Sequence, residues 1–115
     1  MKKIKILKKS ISFYVGLDWM KFEIPHITQA ILSEDEKYAA FFSKDEGLFL
    51  LELSEKKLKK IDILSGNFYT FEKSNNEVGF TVVLAHEERP EGELFWQHDI
   101  DMKNLMTVNY GKKWR

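Results

Sequence analysis

The sequence predicts an all-β protein, with residues 1–115 forming one domain: an antiparallel meander folded into a single β-sandwich or twisted sheet, with at most one short helix near 25–32. Three observations lead there. Apolar residues alternate or run in short blocks rich in aromatic and β-branched types. Clusters of Gly, Asn, Asp, Ser and Pro interrupt those blocks at the spacing of short strands. The chain is 115 residues long, 43% hydrophobic and 31% charged, which is too apolar for a disordered chain and too charged for a bundle of membrane helices.

The N-terminus, MKKIKILKKSISFYVG, begins like a secretion signal. Lys8 and Lys9 break its apolar run and no small-residue cleavage site follows, so it reads as mature, cytoplasmic sequence. Ile11, Phe13, Val15 and Leu17 then alternate, as do Met20, Phe22 and Ile24, which is the period of a half-buried strand. Around Pro25 to Leu32 the pattern changes. Pro25 suits a first helical turn, and Ile27, Ile31 and Leu32 share a helical face, so one or two turns of helix are expected there. Further strands are expected at 38–43, 48–53, 58–63, 68–72, 78–86, 94–99 and 105–110. Phe41, Phe42 and Leu48 to Leu51 show no polar alternation, which marks central strands covered on both sides. No apolar window approaches the ~18 residues of a membrane helix.

Residues 33 to 108 repeat themselves faintly. Ser33-Glu34-Asp35-Glu36-Lys37, then Tyr38 to Phe42, the Gly47 turn, Leu48 to Leu53 and Leu58 to Ile63 can be laid over Ser74 to Glu77, Val78 to Val83, Leu94 to Asp99 and Leu105 to Val108. Each copy resembles a β-propeller blade, a small antiparallel meander. Blades close into rings of at least about four, so two copies imply a compact sandwich or sheet instead.

The 18 basic and 18 acidic side chains cancel, yet they are not evenly spread. Consecutive antiparallel strands put alternate loops at opposite ends of a sheet. Loops 44–47, 64–67 and 87–93 therefore share one end, where Asp45, Glu46, Glu87, Glu88, Glu91 and Glu93 outnumber Lys44 and Arg89, a local charge of −4. Basic residues gather in Lys2 to Lys9, Lys56 to Lys60 and the C-terminal tail. Charged turns can simply solvate loops and block edge-to-edge aggregation. They can also form an acidic rim that docks on a basic partner.

Cysteine is absent, which removes disulfides, thiolate catalysis and cysteine-based metal sites. A metal would need two of His26, His86 and His98 to converge. Pairing His98 with Val82 across a hairpin leaves His86 four residues along, about 13 Å at strand rise, too far to share an ion. No metal, cofactor or catalytic residue is therefore expected, and glycine-rich phosphate loops and nucleophile elbows are missing. Carboxylate pairs such as Glu91/Glu93 lack an apolar pocket to raise one pKa, and Gly66-Asn67 reads as a plain turn. Nucleic-acid binding would need aromatics exposed on a basic sheet face, whereas most aromatics here read as core, leaving Trp19, Trp96 and Trp114. On that ground it is not expected.

Size, composition, the acidic end and the lack of catalytic constellations leave protein recognition. At class level the chain resembles the small immunity proteins with which bacteria neutralise nuclease toxins. That resemblance implies a non-enzymatic inhibitor covering a basic, phosphate-binding toxin cleft. Asp45, Glu46, Glu87, Glu88, Glu91 and Glu93 would form the surface, with Trp96 or Tyr110 as aromatic anchor. The rival expectation is an assembly module that completes a larger β structure by self-association or with another chain.

Overall fold

In the computed structural model, which describes residues 2–109 and 111–114, the chain is all-β and antiparallel. In order, the strands are β1 (Ile4–Leu7), β2 (Ser10–Val15), β3 (Asp18–Phe22), β4 (Ile27–Leu32), β5 (Tyr38–Ser43), β6 (Gly47–Glu52) and β7 (Lys57–Ile61). They continue as β8 (Asn67–Lys73), β9 (Phe80–Ala85), β10 (Phe95–His98), β11 (Ile100–Asp101), β12 (Met106–Thr107) and β13 (Lys112–Lys113). An N-terminal sheet has the order β1-β2-β3, a central sheet β4-β5-β6-β7 and a C-terminal sheet β13-β10-β9-β8, while β11-β12 form a separate small hairpin. Two consecutive four-stranded meanders thus follow one another in the chain.

Alternation along β5 and β6 sets the layering. Ala40, Leu48 and Leu50 point into one apolar cluster with Phe80, Val82 and Leu84 of β9. Their neighbours Ala39, Phe41 and Leu51 point the other way, into a second cluster with Ile11 and Phe13 of β2. The central sheet is therefore covered on both faces, as its unbroken apolar runs predicted, and the sandwich carries a third layer. Leu50, Phe41 and Phe80 are each 0% exposed. Burial at that level stabilises the fold by about 1.5–3 kcal/mol per side chain.

The helix expected near 25–32 is instead strand β4, hydrogen-bonded in the pairs Ala30↔Phe41, Ile31↔Ala40 and Leu32↔Ala39. Three β-branched residues in six, Ile27, Thr28 and Ile31, favour an extended chain. The apolar set also splits as a strand's does: Ala30 and Leu32 face the N-terminal sheet, whereas Ile31 faces the C-terminal one. The Pro25 carbonyl accepts a hydrogen bond from Ser43 Oγ at 2.8 Å, fixing strand entry rather than opening a helix. Leu17 leaves the alternation of β2 for the turn before β3, with φ +69° and 88% exposure. The lysine-rich start of the chain, unassigned by periodicity, forms β1. Among the described residues of the strand expected at 105–110, only Met106–Thr107 form a strand.

Candidate functional site: a histidine pair behind an acidic loop

β9 and β10 are joined by the loop 86–94, which is tied down by its own backbone. His86 N–H donates to the Leu94 carbonyl (2.7 Å), Arg89 N–H to His86 (2.9 Å), Gly92 N–H to Arg89 (2.8 Å) and Glu93 N–H to Pro90 (3.0 Å). Pro90–Gly92 form a 3₁₀ turn, flanked and interrupted by Arg89 and Glu91 in the left-handed region at φ +48° and +52°. Closing so tight a loop places Glu87, Glu88, Glu91 and Glu93 outward, all exposed. Among the described residues only Glu91 of these four meets a cation, Lys113 at 3.8 Å, a surface pair of small energetic value.

Behind the loop lie two imidazoles. His86 Nε2 and His98 Nε2 are 2.9 Å apart, and His98 Nδ1 is 2.8 Å from the Val108 carbonyl oxygen. A carbonyl only accepts, so His98 Nδ1 carries a proton. In neutral His98 the Nε2 is then bare and accepts the Nε2–H of His86. Both residues are buried. Burial pushes the His98 pKa below its ordinary 6.5, with the neighbouring His86 acting in the same direction; the Val108 carbonyl and Asp99 oppose the shift. The uncharged form of His98 is thus the one that this pocket favours.

The backbone makes room for the rings. A Cβ on Gly66 would lie 3.0 Å from His86 Cε1 and 3.1 Å from the Ala85 carbonyl, and the residue has φ +89°. A Cβ on Gly111 would lie 2.9 Å from His98 Nε2. The pair opens onto a cleft of about 280 Å³ whose wall includes Ser65, Glu88, Glu91, Trp96 and Asn109.

Several sequence expectations need correction here. The register is as expected, His98 opposite Val82, but the histidines are not too far apart to interact. Strand rise measures backbone positions, and two imidazoles leaning toward one another close the gap. The Gly66-Asn67 turn is more than a turn, because Gly66 leaves the space that His86 fills. Loops 64–67 and 87–93 do meet at the cleft, whereas Asp45 and Glu46 stand apart from it on the β5–β6 turn. Asp45 Oδ2 is engaged by His26 Nδ1. Trp96 is no surface anchor: it is 9% exposed and its Nε1–H donates to the Glu93 carbonyl at 2.9 Å, bracing the acidic loop from beneath. Tyr110 lies outside the described residues. The glycines and the histidine pair had no signature in the sequence, since they are assembled from three separate connections.

Chemically the pair can take up and pass on a proton. Ser65 shares the cleft wall but makes no hydrogen bond to either imidazole, so no base activates it. Among the described residues no third histidine, aspartate or glutamate joins the two as a metal-holding group. No helix is long and apolar enough to cross a membrane. Neither protein-family models, nor curated proteins, nor solved structures match the chain.

Proposed function

We propose that the protein is a binding inhibitor that docks the 87–93 loop on a basic protein partner, in the manner of an immunity protein covering the phosphate-binding cleft of a nuclease toxin. The observation carrying this reading is the loop itself. Four carboxylates stand exposed on a segment fixed by five hydrogen bonds, counting that from Trp96, so little ordering entropy opposes association. A clustered negative potential speeds encounter with a basic cleft and competes with the nucleic acid that the cleft would hold. Asp45 and Glu46, on the β5–β6 turn and apart from the cleft, are not part of that loop.

The test uses the intact protein and a Glu87→Lys/Glu88→Lys variant as parallel baits in lysate of the source cells. The expected result is a basic protein retained stoichiometrically by the first bait, released by salt and lost on the second. Equal retention by both baits would overturn the acidic-loop reading. Recovery of another copy of the chain alone would favour the assembly alternative.

A further inference from the structure

The outer face of the N-terminal sheet is built quite differently from its inner one. Ile11 and Phe13, with Ile4, Val15, Met20 and Phe22, pack inward on the central sheet. By strand alternation Lys5, Ser12 and Lys21 form one cross-strand row on the opposite face, and Tyr14 and Trp19 form the next. Tyr14 and Trp19 lie against each other, ring centres 5.2 Å apart, and Trp19 is 42% exposed. Ser10 and Ser12, small, central and buried, floor a trough between the outer strands, whose face carries Leu7 beside Ser10 as well as the lysines. At the end remote from the aromatics the trough opens into a cleft of about 460 Å³ whose walls include Lys8, Lys9, Lys21 and Glu23.

We propose that this face binds single-stranded nucleic acid, with bases stacking on Trp19 and Tyr14 and phosphates following the trough toward Lys8 and Lys9. Two features select that ligand. Charge is the first: residues 2–24 hold six lysines against Asp18 and Glu23. Of those lysines only Lys3, bound to Glu36 at 2.5 Å, is in an ion pair among the described residues, which leaves Lys5, Lys8, Lys9 and Lys21 available to phosphate. The second is the pairing of an exposed aromatic platform with a basic track one cross-strand row away, about 7 Å, the scale of one nucleotide in an extended strand. Leu7, beside Ser10 on the same face, is 49% exposed, so a bilayer is a rival occupant that the test must separate from a single strand. A second copy of the same face would be repelled by the same lysines. Duplex DNA keeps its bases stacked internally and cannot place one on Trp19.

Fluorescence anisotropy of labelled oligothymidylate and oligouridylate, with a labelled DNA duplex and vesicles containing anionic phosphatidylglycerol as rivals, tests the proposal. Single strands are expected to bind in low salt in preference to duplex. Trp19→Ala should weaken binding about tenfold, the loss of one stacked base. Lys5→Ala/Lys21→Ala should flatten the dependence of log affinity on log salt by about 1.4, two phosphate contacts on a single strand. Circular dichroism establishes that each variant is folded. Failure of either oligonucleotide to bind, equal affinity for duplex, binding to the vesicles alone, or variants that bind like wild type would each overturn it.

Discussion

The acidic loop between β9 and β10 and the basic face of β1–β3 cancel in the net charge, yet they are made in opposite ways. The loop holds its carboxylates on irregular backbone with two left-handed non-glycine residues, Arg89 and Glu91. Its geometry rests on what lies beneath it, the Trp96 indole and the His86–His98 pair. Lys5 and Lys21 of the sheet face sit at regular alternate positions, and their placement needs only the β1-β2-β3 ladder and the apolar inner face. A charge pattern on a strand can be read from spacing; one on a loop depends on buried contacts that spacing does not encode. The two regions also belong to different outer layers, separated by the central sheet.

The largest effect should come from breaking what both regions share. Leu50 is 0% exposed at the centre of β6, against the cluster that includes Phe80, Val82 and Leu84. Leu50→Asp would bury a carboxylate without a partner and is expected to cost more than about 4 kcal/mol, enough to unfold a domain of ordinary stability. Far-ultraviolet circular dichroism and urea titration read the outcome. A folded Leu50→Asp protein with an intact urea midpoint would show that the central sheet does not hold the two outer layers together.

Next in size is a change confined to the support of the acidic loop. Gly66→Ala combines a positive φ with a Cβ that would crowd both the His86 ring and the Ala85 carbonyl. An expected loss of about 1–3 kcal/mol follows from strain of that kind. The same substitution at Gly16, where φ is +62° and nothing lies within 4 Å of the new Cβ, carries only the conformational part and should cost less. Comparing the urea midpoints of the two variants separates crowding of the histidine from backbone strain. Equal losses would mean that the His86 contact contributes nothing.

That contrast also marks how far the sequence could be read. Strand positions, the doubly buried β5 and β6, and the Val82–His98 register all follow from periodicity and turn chemistry, because one strand residue's direction fixes that of its neighbours. β4 escaped because Ile27, Ile31 and Leu32 satisfy helical spacing as well as strand burial. Only pairing with β5 decides between them. The acidic residues of the loop were legible as charge, but Trp96 was misplaced as an anchor, since its strand position leaves open which face becomes interior. The histidine pair was illegible for a different reason: side-chain reach exceeds the spacing of backbone rows, and the contact also depends on Gly66, Gly111 and the Val108 carbonyl.

A smaller and pH-dependent effect should isolate the histidines from the rest. The His98 pKa lies below its unfolded 6.5 through burial, so in the window beneath 6.5 the unfolded chain binds more protons than the folded one. Stability from this group is fully present above that value and is lost as the pH falls through the folded pKa. The urea midpoint should therefore decline on acidification from neutrality. In His98→Leu it should decline less over the same interval, from a lower starting value, because the His86 N–H and the Val108 carbonyl lose their partner at a cost of about 1–3 kcal/mol each. Parallel pH profiles in the two proteins would remove His98 as the group responsible and leave the carboxylates of the turns.

The smallest effect on stability should accompany the change most damaging to the proposed docking. Glu87 and Glu88 are exposed and unpaired among the described residues, so Glu87→Lys/Glu88→Lys alters no buried contact and should shift stability by no more than about 0.5 kcal/mol. Its expected consequence lies in the rate of association with the basic partner, because rim charges steer encounter whereas buried contacts set dissociation. Stopped-flow association at several salt concentrations should give a slower rate for the variant and a weaker salt dependence. Reversal on the other charged region, at Lys5 and Lys21, should leave that rate nearly unchanged, since the central sheet stands between the two surfaces and salt screens charges beyond about 8–10 Å. If both reversals slowed association equally, the partner would be responding to the overall charge of the protein and not to the loop, and the distinction between the two regions would fail.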